Sequence, residues 1–166
     1  MKKIDLFKVS MSPEAIPLVS ETLLSGFIGQ GERVEQFESM LQTWFGNTYI
    51  DTVNSATSGL HLALHICKDE LGYSRRTEVL TTPKTCTATN MVILANGLDV
   101  KWVDVDPDTC NMDLDDLERK ISPKTLAIML VHWGGYSCDL DRVNKIADKC
   151  LKLYNFRPRI IEDAAH

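Results

Sequence analysis

Apolar, β-type runs and amphipathic helical stretches alternate at least four times along this chain, with short polar connections between them. Parallel strands need a crossover, and a helix is the usual one, so the alternation predicts an α/β fold. The expected fold class is a three-layer α/β/α arrangement with a mostly parallel sheet. Thr125 to His132 is the most apolar run, the pattern of a strand covered on both faces. Glu78 to Thr82, Val100 to Val105 and Arg159 to Glu162 read as further strands.

Helices are expected between them. Ser12-Pro13-Glu14 opens one that runs to about Ser25, with Ser at the cap and Pro in the first turn. Glu32 to Phe45 places Val34, Phe37, Leu41 and Trp44 on one face, and Gly46-Asn47 ends it. Lys84 to Thr89 leads into a helix through Met91 and Ala95, and Asp113 caps an acidic helix ending near Ile121. Asp139 to Tyr154 buries Val143, Ile146, Ala147, Cys150 and Tyr154. Residues 1–11 read as an extended arm and 72–76 as a polar loop that includes the basic pair Arg75-Arg76.

Tyr49 to Leu64 combines both signatures at one junction. Tyr49, Ile50 and Val53 have the character of a buried strand, and Ser55-Ala56-Thr57-Ser58-Gly59 turns directly into an apolar-rich helix. The first N–H groups of that helix have no partner within it, and the helix dipole makes their end attractive to a phosphate. The competing reading is a plain cap, in which Ser55 or Thr57 satisfies those groups.

Composition narrows the function classes. A net charge of −5 with no basic block argues against nucleic acid as a partner. Five scattered cysteines, Cys67, Cys86, Cys110, Cys138 and Cys150, lack a C-x-x-C pair and suggest reduced thiols in a cytoplasmic protein. No apolar segment is long enough for a membrane span, and MKKIDLFKVS has no signal-peptide core. His61 and His65 lie i, i+4 on a helix, but Leu62 replaces the glutamate of a zinc-protease motif, so no metal site is expected. Cys86 precedes a helix, yet no cysteine-hydrolase signature accompanies it.

Ligands of such folds collect at the carboxyl ends of the strands. Four polar ends are expected there: Ser55–Gly59, Pro83–Thr87, His132–Gly135 and Asp163–His166. Asp163, delivered by an apolar strand, suits either a helix cap or a cationic ligand group, since a carboxylate raises the pKa of a nearby ring nitrogen. A phosphate-binding helix start plus one such carboxylate fits pyridoxal 5′-phosphate.

The segments GQGERVEQFE, VNSATSGLHLAL, TTPKTCTAT, VDVDPDTCNMD, AIMLVHWGGYSCDLD and IIEDAAH occur in that order. In them the chain resembles the first part of the DegT/StrS-type nucleotide-sugar aminotransferases, which are fold-type I pyridoxal-phosphate enzymes. The resemblance implies a truncated large domain: arm, helix and glycine loop over residues 1–30, a partial cofactor-binding domain over 31–166, and no C-terminal small domain. It implies a phosphate cup at Ala56 and Thr57, with Ala56 where the family more often has Gly. It places Asp163 on the pyridine nitrogen and His166 near the phenolic oxygen. Cys86 falls where many members stack an aromatic residue on the ring. Phe27, Ile28 and Gly29 resemble the loop bordering the substrate. His132 and Trp133 match a structural strand end.

No catalytic residue is implied within the chain, because the family's aldimine lysine would lie after His166. The activity implied for the parent is transfer of an amino group, from glutamate, to a keto-sugar nucleotide. The alternatives are a sugar dehydratase of the same fold, with His at the lysine position, or a non-catalytic phosphate-ligand binding and assembly module. A homo-oligomer is expected, because a partial large domain leaves apolar surface to cover.

Overall fold

The computed structural model describes residues 8–70 and 76–166. The expected arm up to residue 7 and most of the expected loop, residues 72–75, lie outside the described residues. The chain divides into two compact units, one up to Thr52 and one from Val53 to His166.

The first unit holds α1 (Ala15–Ser25) and α2 (Glu32–Phe45). α1 starts later than its Ser-Pro-Glu signal: Glu14 occupies the cap position, and Ser12 accepts from the Glu14 N–H through its hydroxyl and from the Ala15 N–H through its carbonyl. α2 has the expected bounds, and Gly46 ends it at φ 62°, a left-handed conformation that costs glycine little.

Residues 49–53 are not a strand, contrary to expectation. Tyr49 is 91% exposed, and three main-chain groups of this segment bond to side chains in place of a ladder. Asn47 Oδ1 accepts from the Tyr49 N–H, Gln42 Nε2 donates to the Ile50 carbonyl, and Glu38 Oε1 accepts from both Thr52 N–H and Thr52 Oγ1 at 2.7 Å. A β-type composition makes a strand only where a neighbour supplies the hydrogen bonds.

The second unit contains α3 (Ala56–Glu70), β1 (Glu78–Thr81), α4 (Thr87–Ala95), β2 (Asp99–Trp102), α5 (Leu114–Lys120), β3 (Thr125–Val131), α6 (Leu140–Tyr154) and β4 (Arg159–Asp163). The sheet order is β2-β1-β3-β4 and every pairing is parallel. β3 is buried at all seven positions, as its unbroken apolar run requires. Alternate side chains feed two cores. Leu80, Ile128 and Leu130 pack with Leu117 of α5 and Val143, Ile146 and Cys150 of α6. Val79, Ala127 and Met129 pack with Leu60 and Leu64 of α3 and Val92 and Ile93 of α4. The result is the expected α/β/α sandwich. Each fully buried aliphatic side chain contributes about 1.5–3 kcal/mol, so the two cores dominate the stability of this unit.

The sheet order places the ligand crevice. The connection from β1 leads to β2 on one side, while the next strand, β3, pairs on the other side of β1. Ligands of parallel sheets bind outside the carboxyl ends at such a reversal.

Candidate functional site

A cavity of about 210 Å³ lies there, lined by Thr85 and Cys86 after β1, His132 and Trp133 after β3, and Asp163 and His166 at and after the end of β4. Three strand ends converge on it; the fourth expected end is lost with the strand at 49–53.

Asp163 is half-buried in its wall. Oδ2 accepts from Thr89 Oγ1 at 2.7 Å and Oδ1 from the Ala165 N–H at 3.2 Å. A carboxylate has about four acceptor positions, so these two bonds hold it in place and leave it able to accept from a ligand N–H. His166 Nδ1 accepts from the Gly134 N–H at 3.0 Å, and its ring meets Trp133 edge-on at 5.6 Å between centroids. Lys84 Nζ lies 5.3 Å from the Trp133 ring centroid, in cation–π range. Cys86 is exposed and occupies the cap position of α4.

His132 has a structural role. Its Nδ1 accepts from the Cys138 N–H at 3.1 Å, so the neutral ring carries its proton on Nε2, which meets Glu162 Oε2 at 3.0 Å. The thiols of Cys67, Cys138 and Cys150 are buried, and burial pushes all three pKa values up, so they act as small apolar side chains.

At the start of α3, Ser55 caps the helix: its Oγ accepts from the Ser58 N–H at 3.2 Å, and its carbonyl from the Gly59 N–H. The plain-cap reading therefore holds for Ser58 and Gly59. Among the described residues no hydrogen bond engages the Ala56 or Thr57 N–H, so two orphan donors remain at that end. Thr57 lines a second, open hollow with Ser58, His61 and Leu62. The structure thus joins Cys86, Asp163 and His166 in one cavity and gives Thr57 a different one. In the first unit, Phe27 and Gly29 line a hollow with Glu21, Arg33 and Gln36, and Phe27 and Ile28 are 85% and 73% exposed.

Two positions escaped sequence reasoning. Thr89 is fully buried and reaches Asp163 across 74 residues of chain; its only signal was a Thr one turn after Thr85. Asn111 is buried at 6% exposure and bonds to the main chain of Trp133 and Tyr136.

The parallel sheet of this α/β fold gathers a carboxylate, an imidazole and a thiol at the carboxyl ends of its strands, where such folds hold their ligands. The chain belongs to the DegT/DnrJ/EryC1/StrS aminotransferase family, whose model matches residues 9–166. It is 37% identical to the spore coat polysaccharide biosynthesis protein SpsC of Bacillus subtilis, over 92% of this chain and 37% of that protein. The fold superposes on AtS13 from Actinomadura melliaura with a TM-score of 0.92 and 53% identity, covering 98% of this chain and 43% of that one. The sugar aminotransferase CalS13 from Micromonospora echinospora gives a TM-score of 0.88 and 47% identity, covering 97% and 43%. The chain therefore spans about two fifths of the length of the relatives it matches.

Proposed function

We propose that this chain is the N-terminal part of a cytoplasmic, homo-oligomeric pyridoxal-phosphate-dependent aminotransferase that moves an amino group from glutamate to a keto-sugar nucleotide. The observation that carries this reading is Asp163, fixed by Thr89 and Ala165 at a cavity it shares with Cys86 and His166. When bound, pyridoxal phosphate supplies an electron sink that depends on a protonated ring nitrogen.

The donor set suits that group. Asp163 would hold the ring nitrogen's proton by charge-assisted hydrogen bonding. The free N–H groups of Ala56 and Thr57, with the Thr57 hydroxyl, would take the phosphate. Cys86 would pack against the ring, with less contact area than an aromatic side chain gives. His166, whose Nδ1 is already occupied, would offer its Nε2–H to the phenolic oxygen. Phe27, Ile28 and Gly29 would border the sugar. The lysine that attaches the cofactor would follow His166 in the complete protein.

Titration with pyridoxal phosphate, followed by tryptophan fluorescence, tests the cofactor reading. Saturable quenching that Asp163→Ala abolishes is expected; no saturable binding by the complete protein overturns it. In the complete protein, amino-sugar formation with loss of glutamate is expected. A deoxygenated sugar without nitrogen transfer would assign the dehydratase instead. Binding without either product would leave the non-catalytic module.

A further inference from the structure

We propose that Asn111 is a positioning residue for the strand-end cavity: its side-chain amide clamps the turn that carries Trp133 and, through the Gly134 N–H, fixes which nitrogen of His166 bears the proton. Its relevance to a bound cofactor rests on the reading above, but the clamp itself does not.

Asn111 Oδ1 accepts from the Trp133 N–H at 2.9 Å, and Asn111 Nδ2 donates to the Tyr136 carbonyl at 2.8 Å. One end of the amide faces an N–H and the other a carbonyl, so only one orientation of the group satisfies both. The two bonds grip the two ends of a turn whose middle residues, Gly134 and Gly135, have φ 62° and 80°. These are left-handed conformations, and they aim the Gly134 N–H at His166 Nδ1. A ring that accepts at Nδ1 carries its proton on Nε2 when neutral. Asn111 thus acts on His166 through two intermediaries, the turn and the Gly134 amide.

The clamp is anchored from its own side. Asp106 Oδ1 accepts from the N–H and the hydroxyl of Thr109, and the Asp106 N–H donates to the Asn111 carbonyl at 2.9 Å. Cys110, just before Asn111, is held at φ 63°, an unusual conformation for a residue with a side chain. His132 secures the far flank of the turn through the Cys138 N–H.

The test is the N–H···N bond between Gly134 and His166, read by NMR on isotopically labelled protein without cofactor. A through-hydrogen-bond nitrogen–nitrogen coupling is expected in the unaltered protein, with His166→Gln identifying the signal. In Asn111→Ala the coupling should vanish and Gly134 amide exchange should rise about fivefold, the factor one net hydrogen bond sustains. Val143→Ala, a core truncation away from the turn, should lower thermal stability and leave the coupling in place. If Asn111→Ala fails to fold, Asn111→Asp serves, because it keeps the acceptor for Trp133 and sets a carboxylate against the Tyr136 carbonyl. A coupling unchanged in the Asn111 variants, or equally lost in Val143→Ala, overturns the proposal. Coupling that depends on Asn111 in a protein that does not bind pyridoxal phosphate would uphold the clamp and overturn the cofactor reading alone.

Discussion

The Thr89 hydroxyl donates to Asp163 Oδ2 over 2.7 Å and so ties the first turn of α4 to the end of β4. Thr85 Oγ1 lies 2.8 Å from Thr89 Oγ1; since the Thr89 proton goes to the carboxylate, Thr85 is the donor of that second bond. Two hydroxyls therefore point in series at one carboxylate. Thr89→Val would remove the partner of Oδ2 and is expected to cost about 1–3 kcal/mol in urea unfolding, with Thr89→Ser recovering most of it. Equal stability of the valine variant would show that the bond contributes nothing net.

The start of α3 predicts a selective effect on anion binding. Replacing Thr57 by Val removes a hydroxyl beside the two free N–H groups and should weaken pyridoxal phosphate binding by about 1–2 kcal/mol in calorimetric titration. Pyridoxal without its phosphate should be insensitive to the change. A loss of the same size for both ligands would place the phosphate elsewhere.

Asp116 predicts an acid-sensitive contact. The Lys120 ammonium, and then the Asp104 N–H, hold its carboxyl below the usual carboxylate range, against the opposing effect of burial. A folded-state pKa below the unfolded value means that the stabilisation is present above about pH 4 and is lost as pH falls through the folded value. Asp116→Asn should therefore cost about 1 kcal/mol at pH 7 and progressively less in acid. A stability difference that stays constant down to pH 2 would refute the linkage.

Phe27, Trp44 and Ile28 are exposed at 85%, 85% and 73%, and Phe37 at 53%. Large apolar side chains exposed together are commonly covered by association. Light scattering at micromolar concentration should give a mass above the monomer, and Trp44→Glu should shift it downward. A monomeric mass at all concentrations would mean that these side chains remain in water.

The sequence announced those elements whose signal is local. α2 followed from its period and its glycine stop, and α6 from its period alone; Asp139, read as the first residue of α6, proves to be its cap and accepts from the Arg142 N–H. β3 followed from an apolar run that only double-sided burial explains. The strand at 49–53 failed because strand formation depends on a neighbour, and composition says nothing about the neighbour. Of the candidate site, Cys86, Asp163 and His166 were legible as strand-end residues, and the structure gathers them at one cavity. Thr89 and Asn111 were not, because each acts through side-chain hydrogen bonds to a distant part of the chain and carries no periodic mark.

β4 pairs with β3 from Ala127↔Arg159 to Val131↔Asp163 and is the last strand of the sheet order among the described residues. Asp163 and His166 travel with it, so whatever displaces this strand also dismantles the cavity. A molecule seated against Asp163 would then serve as a fastener. Its binding energy would be added to the cost of peeling the strand away, and main-chain amides well below the cavity, at Ile160 and Ile161, would exchange more slowly as it bound.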